Sequence, residues 1–428
     1  MDSIADALAG IARALEADGY VMTLTHHLKH GGGVDVHIAA TPQACADCLS
    51  PKGVLQDMIQ AALSQAKLGD VPFAIFYPGV DDGQTEEAHL TATRYRLNDD
   101  FDAVEFCYAA GWTDGLPVVP PTPDRVSAML TAARLEPDAV LGQIPERRIT
   151  LRAEQVAINA VMAGCRPEYM PGVVAAVRAL LDPAFGLHGP AASTQGVAFL
   201  TVINGPYARR IGLNAGENLF GPANRANATI GRAMRLSLLN TGAGLFDRAT
   251  LGHPGKYTYC VAEQEEAGWE PLHVMRGHDP RSSTVTVLAA EAPNQVSNHV
   301  AATPEALLDS FARRMAAPGS SNAQSGNVEM AVVICPEHRR SLQAVGWSKR
   351  DVQQYLWLHA LNSVADLKRA GVLEGPVAPA DEVQLRHVTP APEDILIITA
   401  GGDAGRFSAV IPGWGAKESS RAVTVPIR

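Results

Sequence analysis

Five short apolar runs, at 197–204, 257–262, 284–289, 330–335 and 395–400, constrain the fold of this chain more than any other feature. Each is six to eight residues long, too short for an ordinary helix. Each is mostly apolar, so each reads as a buried strand. The segments 152–163, 169–181, 224–240, 304–316 and 349–360 carry apolar residues at helical spacing. Strands alternating with helices call for helices laid over a mainly parallel or mixed sheet, an α/β architecture. No internal repeat and no low-complexity tract is evident.

A smaller unit precedes these runs. Ile4, Ala7, Leu8, Ile11, Ala14 and Leu15 fall on one face of a helix that Asp2 or Ser3 can cap and Gly19 ends. Residues 20–25 read as a strand, 30–33 as a turn and 34–39 as the returning strand. Pro51 opens a second helix through Ala66, and 71–77 is a third strand. The expected organisation is a small α-β-β-α-β domain over 1–80, a polar linker over 81–98, and a larger layered α/β domain over 99–428. In that domain 101–110 is helical, the prolines of TDGLPVVPPTPDRV hold an extended path, and Asp124 begins another helix.

The net charge of −10 leaves no basic face for nucleic acid or an acidic membrane. No apolar run approaches the ~20 residues of a membrane span. The N-terminus carries acids where a signal peptide carries basic residues, so the expectation is a mature cytoplasmic protein. Six cysteines in 428 residues are not a disulfide framework; they suit a reducing compartment, as buried thiols, nucleophiles or ligands.

The stretch THHLKHGGGVDVHIAATPQACADC, from Thr25 to Cys48, gathers the most potential metal ligands. His26, His27 and His30 flank the expected turn, and Cys45 and Cys48 follow the far end of the returning strand. At ~3.3 Å per residue those ends lie roughly 20 Å apart, too far to share one ion. His37 shares a face with Asp35 and is expected in solvent. Cys45 and Cys48, just before a helix N-terminus, favour thiolate and can hold a metal or form a redox pair, or be a structural remnant that binds nothing. The leading helix with ADGY, the hairpin, and ACADC before a helix resemble the C-terminal domain of NifU-type iron–sulfur scaffold proteins. That resemblance implies an iron–sulfur cluster or metal ion at Cys45 and Cys48, completed by a second chain in a homo-oligomer.

Other candidates lie in the larger domain. NAVMAGCRPEYMP places Cys165 after a helix beside Arg166 and Glu168, which suits a nucleophile and equally a packed thiol. FGPANRANATIGRA puts Asn224, Arg225 and Asn227 at a helix start, a place for a small anion or for ordinary capping. TLGHPGKYTYCVAEQEE gathers His253, Lys256, Cys260 and Glu263. In VVICPEHRR, Cys335, Glu337 and His338 follow a strand directly, where open α/β sheets place ligands. Gly401, Gly402, Asp403 and Gly405 follow another strand without the G-x-G-x-x-G order, so a glycine turn for a small anion is the reading. G-x-S-x-G, H-E-x-x-H and the P-loop pattern are all absent.

TDGLPVVPPTPDRV, NAVMAGCRPEYMP, NRANATIGRA, LGHPGKYTYC, PEHRRSLQAVGWSK and AGGDAGRFSAVIPGW together resemble a bacterial family associated with UGSC-type selenoproteins. That family is related to the substrate-binding B components of glycine reductase. The resemblance implies thiol-based handling of a small molecule. The UGSC tetrapeptide itself is absent, which leaves Cys165 as the local candidate nucleophile. The expectation is a cysteine-dependent oxidoreductase or lyase that cleaves a carbon–heteroatom bond of a small polar or anionic substrate, reductively or by elimination. Cys165 would attack, His338 or His253 would move protons, Glu168, Asn224, Arg225 and Lys256 would hold the substrate, and Gly401, Gly402 and Asp403 would line the pocket. The alternative is a metal or iron–sulfur carrier acting through Cys45 and Cys48 across a dimer.

Overall fold

Leu8, Ile11 and Leu15 from one helix meet Leu55, Ile59 and Leu63 from another over Val36, Ile38 and Ile75 of a sheet. The i, i+4 spacing of 55, 59 and 63 places that apolar stripe on a single helix face. These elements are α1 (Asp2–Ala17), β1 (Tyr20–His26), β2 (Val34–Ala40), α2 (Lys52–Gln65) and β3 (Phe73–Phe76). β1 runs antiparallel to β2, with Met22 opposite Ile38, and β2 runs parallel to β3, with Val36 opposite Ile75. The expected α-β-β-α-β order is therefore present. His37 is not simply in solvent: it is half-buried and stacks on Phe76, ring centroids 4.5 Å apart.

This computed structural model describes residues 2–26, 34–41, 44, 49–69, 71–76, 90–95, 97, 102–242 and 249–428. His27, His30, Cys45, Cys48 and most of the expected linker lie outside the described residues. The chain divides into two units, Met1–Ala110 and Gly111–Arg428. The first ends with α3 (Ala103–Ala109), whose N-terminal amides are capped by Asp102, with Val104 N donating to Oδ1 at 2.8 Å.

The second unit opens with α4 (Pro123–Ala133) and a hairpin of β4 (Val140–Ile144) and β5 (Ile149–Arg152). Then come α5 (Ala153–Ala163), α6 (Met170–Leu181), α7 (His188–Ala192), β6 (Ala198–Asn204), α8 (Pro206–Arg210), α9 (Arg225–Asn240), β7 (Cys260–Ala262), α10 (Leu272–Met275), β8 (Thr284–Ala290) and β9 (Asn294–Ser297). The order then restarts: α11 (Pro304–Met315), α12 (Ser321–Ser325), β10 (Met330–Ile334), α13 (Pro336–Gln343) and α14 (Lys349–His359). After β11 (Leu361–Ser363), α15 (Val364–Arg369) and β12 (Leu385–His387), the chain ends in β13 (Ile395–Thr399), β14 (Phe407–Ile411) and β15 (Val423–Pro426).

Two four-stranded mixed sheets result, ordered β7-β6-β8-β15 and β13-β10-β14-β9. In each, the first long strand pairs parallel with the strand that follows its helices: β6 with β7, and β10 with β13. On its other side it pairs antiparallel with the next strand, β8 or β14. The fourth strand is exchanged. β9 leaves the first half to pair with β14, and β15 leaves the second half to pair with β8. The two halves thus have like connectivity, with their last strands reciprocally exchanged.

Strand alternation explains how the sheets stack. Ala198, Leu200 and Val202 of β6 share one core with Ala331 and Val333 of β10 and with Leu396 and Ile398 of β13. The alternate residues point outward. Arg235 of α9 lies over the Phe199 ring, while Val332, Ile334 and Ile397 pack with Leu308 and Phe311 of α11 and Leu356 of α14. The arrangement is helices, sheet, sheet, helices, with a two-sheet interior of small and branched residues. Full burial of each branched side chain contributes ~1.5–3 kcal/mol before entropy is counted. The expected strand over 257–262 is shorter, because Pro254–Lys256 forms a helical turn first. No helix among the described residues is long and apolar enough to cross a membrane.

Candidate functional site at the seam of the two halves

The two halves meet at the carboxyl ends of their parallel strands. After β6 the chain reads Gly205-Pro206-Tyr207-Ala208-Arg209-Arg210, and after β10 it reads Cys335-Pro336-Glu337-His338-Arg339-Arg340. In both, proline starts a helix whose fourth residue is an arginine. Arg209 and Arg339, equivalent in the two segments, line the same cleft of about 380 Å³, together with Gly205, Ala215, Gln264 and Glu265. Gly205 has φ +88°, and a Cβ there would lie 2.2 Å from the Ser282 carbonyl oxygen, so the first half carries no side chain where the second carries a thiol.

Polar groups from both halves build the floor. Glu263 is buried and bonded to Lys349 Nζ at 2.5 Å. It also accepts from Asn204 Nδ2 at 2.8 Å, Leu272 N at 2.7 Å and Thr399 N at 3.2 Å. Burial alone would raise this carboxyl; the Lys349 charge and the converging donors outweigh it and hold the group below the usual range. Gln264 N donates to Thr399 O at 2.7 Å, and Gln264 Nε2 donates to Gly401 O at 2.9 Å. Glu265 accepts from Gly205 N at 2.5 Å and from Arg209 Nη1 at 3.1 Å. His273 is fully buried with Nδ1 3.9 Å from Glu265 Oε1.

Arg339 is less fully engaged. Its Nη1 reaches Gln264 Oε1 at 3.4 Å, and its buried Nε has no hydrogen-bond partner among the described residues. Burial and the neighbouring Arg340 charge lower its pKa. A guanidinium with spare donors beside a cleft is suited to a carboxylate or another small anion.

Cys335 lies one helical turn before Arg339 and is 2% exposed. Burial would raise its thiol, but hydrogen bonds from the His338 and Ser408 side chains and the His338 backbone bring it down to about 7. Cys335 N donates to Ser408 Oγ at 3.0 Å, and the same Oγ lies 2.8 Å from His338 Nδ1. His338 Nε2 lies 3.0 Å from Asn298 O. Opposite the thiol stands Gly401, φ +113°, where a Cβ would sit 3.7 Å from Cys335 Cβ. The loop from Gly401 to Arg406 is tied to α13: Arg340 pairs with Asp403, Gly405 N donates to Glu337 Oε1 at 2.7 Å, and Arg406 pairs with Glu337 at 3.4 Å.

The structure distributes the remaining sequence candidates elsewhere. Cys165 is buried, donates its thiol to Thr229 O at 3.3 Å, and is pushed up to about 12 by burial. Arg225 is near it but spends Nε on Gly164 O at 2.9 Å. Asn224 caps α9, accepting from Asn227 N at 3.1 Å. Glu168 is exposed beside Arg166 at 3.8 Å. Cys260 is buried and its thiol raised by burial. His253 and Lys256 precede β7, whereas the cleft lies at its carboxyl end. His253 is lowered by burial and by the Lys256 and Arg235 charges, and Lys256 is lowered to about 8 by burial and Arg235.

Of the expected site, His338, Gly401, Gly402 and Asp403 therefore collect around Cys335, while Cys165, Glu168, Asn224, Arg225, His253 and Lys256 do not. Gly401 borders the thiol, Gly402 packs on Glu217, and Asp403 pairs with Arg340. Arg209, Gln264, Glu265, Arg339 and Ser408 were not anticipated. The recurring P-x-x-R-R after two apolar runs was the available signal for the arginines; Ser408, on a distant strand, had none. Among the described residues no group of three or more His, Cys, Asp or Glu could hold a metal ion, and Cys45 and Cys48 are not among them. Comparison with protein-family models, curated proteins and solved structures returns no match, so the reading of this site rests on its own geometry.

Proposed function

We propose that this protein is a thiol-dependent enzyme acting on a small anionic molecule held at the seam of the two halves, with Cys335 as the attacking thiolate. The observation that carries this reading is a thiol lowered to about 7 at a strand's carboxyl end, one turn from an arginine with spare donors in a cleft. Arg339, with Arg209 opposite, binds the anion. The thiolate attacks an electrophilic carbon, forming a carbon–sulfur bond as the carbon–heteroatom bond breaks; the heteroatom leaves with the bonding pair and takes up a proton. The displacement leaves the carbon on Sγ, and a second, small thiolate then takes it, breaking the carbon–sulfur bond and returning Cys335 to its thiolate form. Cys335 is 2% exposed, so substrate reaches Sγ only when the surrounding residues move aside.

Paired alkylation tests this. Iodoacetate carries a carboxylate and iodoacetamide does not. Mass-spectrometric mapping should find Cys335 alkylated well before Cys165 and Cys260 at pH 7, with a preference for iodoacetate that Arg339→Ala removes. Equal labelling of the three cysteines would end the proposal.

A further inference from the structure

Glu265 links the cleft to a buried imidazole. Its Oε1 accepts from Gly205 N at 2.5 Å and from Asn204 Nδ2 at 3.0 Å, and its Oε2 accepts from Arg209 Nη1 at 3.1 Å. Arg209 and Glu265 both line the cleft, so their charges cancel at its wall. His273, on α10, does not line the cleft and is fully buried, with Nδ1 3.9 Å from the same Oε1. Neither of its ring nitrogens has a hydrogen-bond partner among the described residues. A buried imidazole left without partners costs stability. Histidine is also the side chain whose charge changes between about pH 5 and 8, and here it stands against a carboxylate that a positive ring would meet favourably.

We infer that His273 makes the anion affinity of the cleft depend on pH, by placing a positive charge behind Glu265 when its ring takes up a proton; the inference rests on the cleft holding the anion. Arg209 and Glu265 together carry no net charge. With a protonated His273 the three carry one positive charge, which attracts a carboxylate in the cleft. The protonated ring also competes with Arg209 for Glu265, which leaves the Arg209 guanidinium freer to meet the anion. By linkage the bound anion favours protonation of His273 to the same extent. The other charges packed around this ring are paired. Glu263, which accepts from Leu272 N at 2.7 Å, is bonded to Lys349 of α14. Arg276, also at the end of α10, donates to Thr424 Oγ1 at 2.6 Å and Ala422 O at 2.7 Å. Asp279, in the loop that follows, lies 3.5 Å from Arg281 Nε. His278 is the second imidazole nearby, its N donating to His273 O at 3.0 Å; burial and the His273 and Arg276 charges lower its pKa.

The test is the ratio of iodoacetate to iodoacetamide alkylation rates at Cys335, each normalised to a neutral small thiol and followed by mass spectrometry from about pH 8 to about pH 5.5. Both reagents meet the same thiolate, so its ionisation cancels and the ratio reads the pull on the carboxylate alone. In the wild type the ratio should rise about 3–10-fold on acidification, the effect of one added charge about 10 Å away at an effective dielectric of roughly 20 with salt screening. His273→Gln should keep the preference seen at pH 8 and lose the rise. His273→Met fills similar space, forfeits no hydrogen bond and serves if His273→Gln does not fold. His278→Gln should retain the rise. A wild-type ratio above one but level across the range overturns the role of His273 and leaves the anion site standing, and a rise that persists in His273→Gln or His273→Met does the same. A wild-type ratio of one at every pH overturns the anion-binding reading on which the inference rests.

Discussion

Replacing Lys349 by Met should expose how strongly the two halves depend on one buried ion pair. Lys349, on α14 in the second half, and Glu263, just after β7 in the first, have side-chain exposures of 1% and 0%. Methionine fills similar space without charge, so the substitution isolates the loss of Nζ. Removing one partner of such a pair typically costs ~3–5 kcal/mol, because the remaining charge is stranded. Asn204, Leu272 and Thr399 still donate to the carboxylate, which places the expected loss toward ~3 kcal/mol. The pH dependence distinguishes this from simple packing damage. In the wild type the Glu263 carboxyl is depressed, so its stabilisation is present above its unfolded value and is lost as pH falls through the folded one. Without Lys349 burial dominates and the folded pKa rises above the unfolded value. The variant's stability should then fall as pH rises from about 4.3 toward neutrality. Urea unfolding followed by tryptophan fluorescence reports on the second unit alone, because all five tryptophans, at 112, 269, 347, 357 and 414, lie there. The variant should lose more midpoint at pH 8 than at pH 5, and Glu263→Gln in the same chain should recover part of the loss. A variant as stable as the wild type at pH 8 would refute the argument that Lys349 compensates Glu263.

Two further substitutions separate the candidate residues by role. Cys165→Ala should leave the alkylation behaviour of Cys335 unchanged and cost ~1 kcal/mol in the same urea assay, since it removes a packed thiol; loss of Cys335 reactivity would return Cys165 to the site. Gly205→Ala forces a side chain into φ +88° and against the Ser282 carbonyl, so it should destabilise by at least ~2 kcal/mol and weaken the iodoacetate preference at Cys335; wild-type stability would show that the backbone there is free to move.

The apolar runs and helical spacings marked out the main strands and helices of the second unit because burial on both faces leaves a direct trace in residue type. What local pattern could not carry was the pairing. The reciprocal swap of β9 and β15 depends on contacts between segments more than a hundred residues apart, Ala409 with Gln295 and Val423 with Val287. The likeness of the halves shows in sequence chiefly as Gly205–Arg210 against Cys335–Arg340, which share only P-x-x-R-R, too short a match to mark a repeat. The site divided for the same reason. His338 was legible because it follows a strand directly, whereas the choice between Cys165 and Cys335 turns on burial and neighbours. Both cysteines sit beside helix ends and arginines in sequence. Only one of them has a hydroxyl and an imidazole folded against it.

The two halves have like connectivity but differ at equivalent positions, and the proposed function uses that difference. Reciprocal strand exchange makes each sheet incomplete without the other half, and Glu263, Gln264 and Thr399 stitch the strand ends together. The two arginine-bearing turns are therefore held at fixed positions around one cleft. Equivalent geometry then carries different chemistry. At Gly205 the chain approaches the Ser282 carbonyl too closely for any side chain, and its amide is spent on Glu265. At Cys335 the backbone leaves room for a side chain, which packs toward Gly401, and the amide is spent on Ser408, which also meets His338. The first half has Glu265 bound to Arg209, which lowers the net positive charge on that side; the second leaves Arg339 with unused donors. Under the proposed function, an anion entering the cleft would be drawn toward the Arg339 side, which is also the side of the thiol.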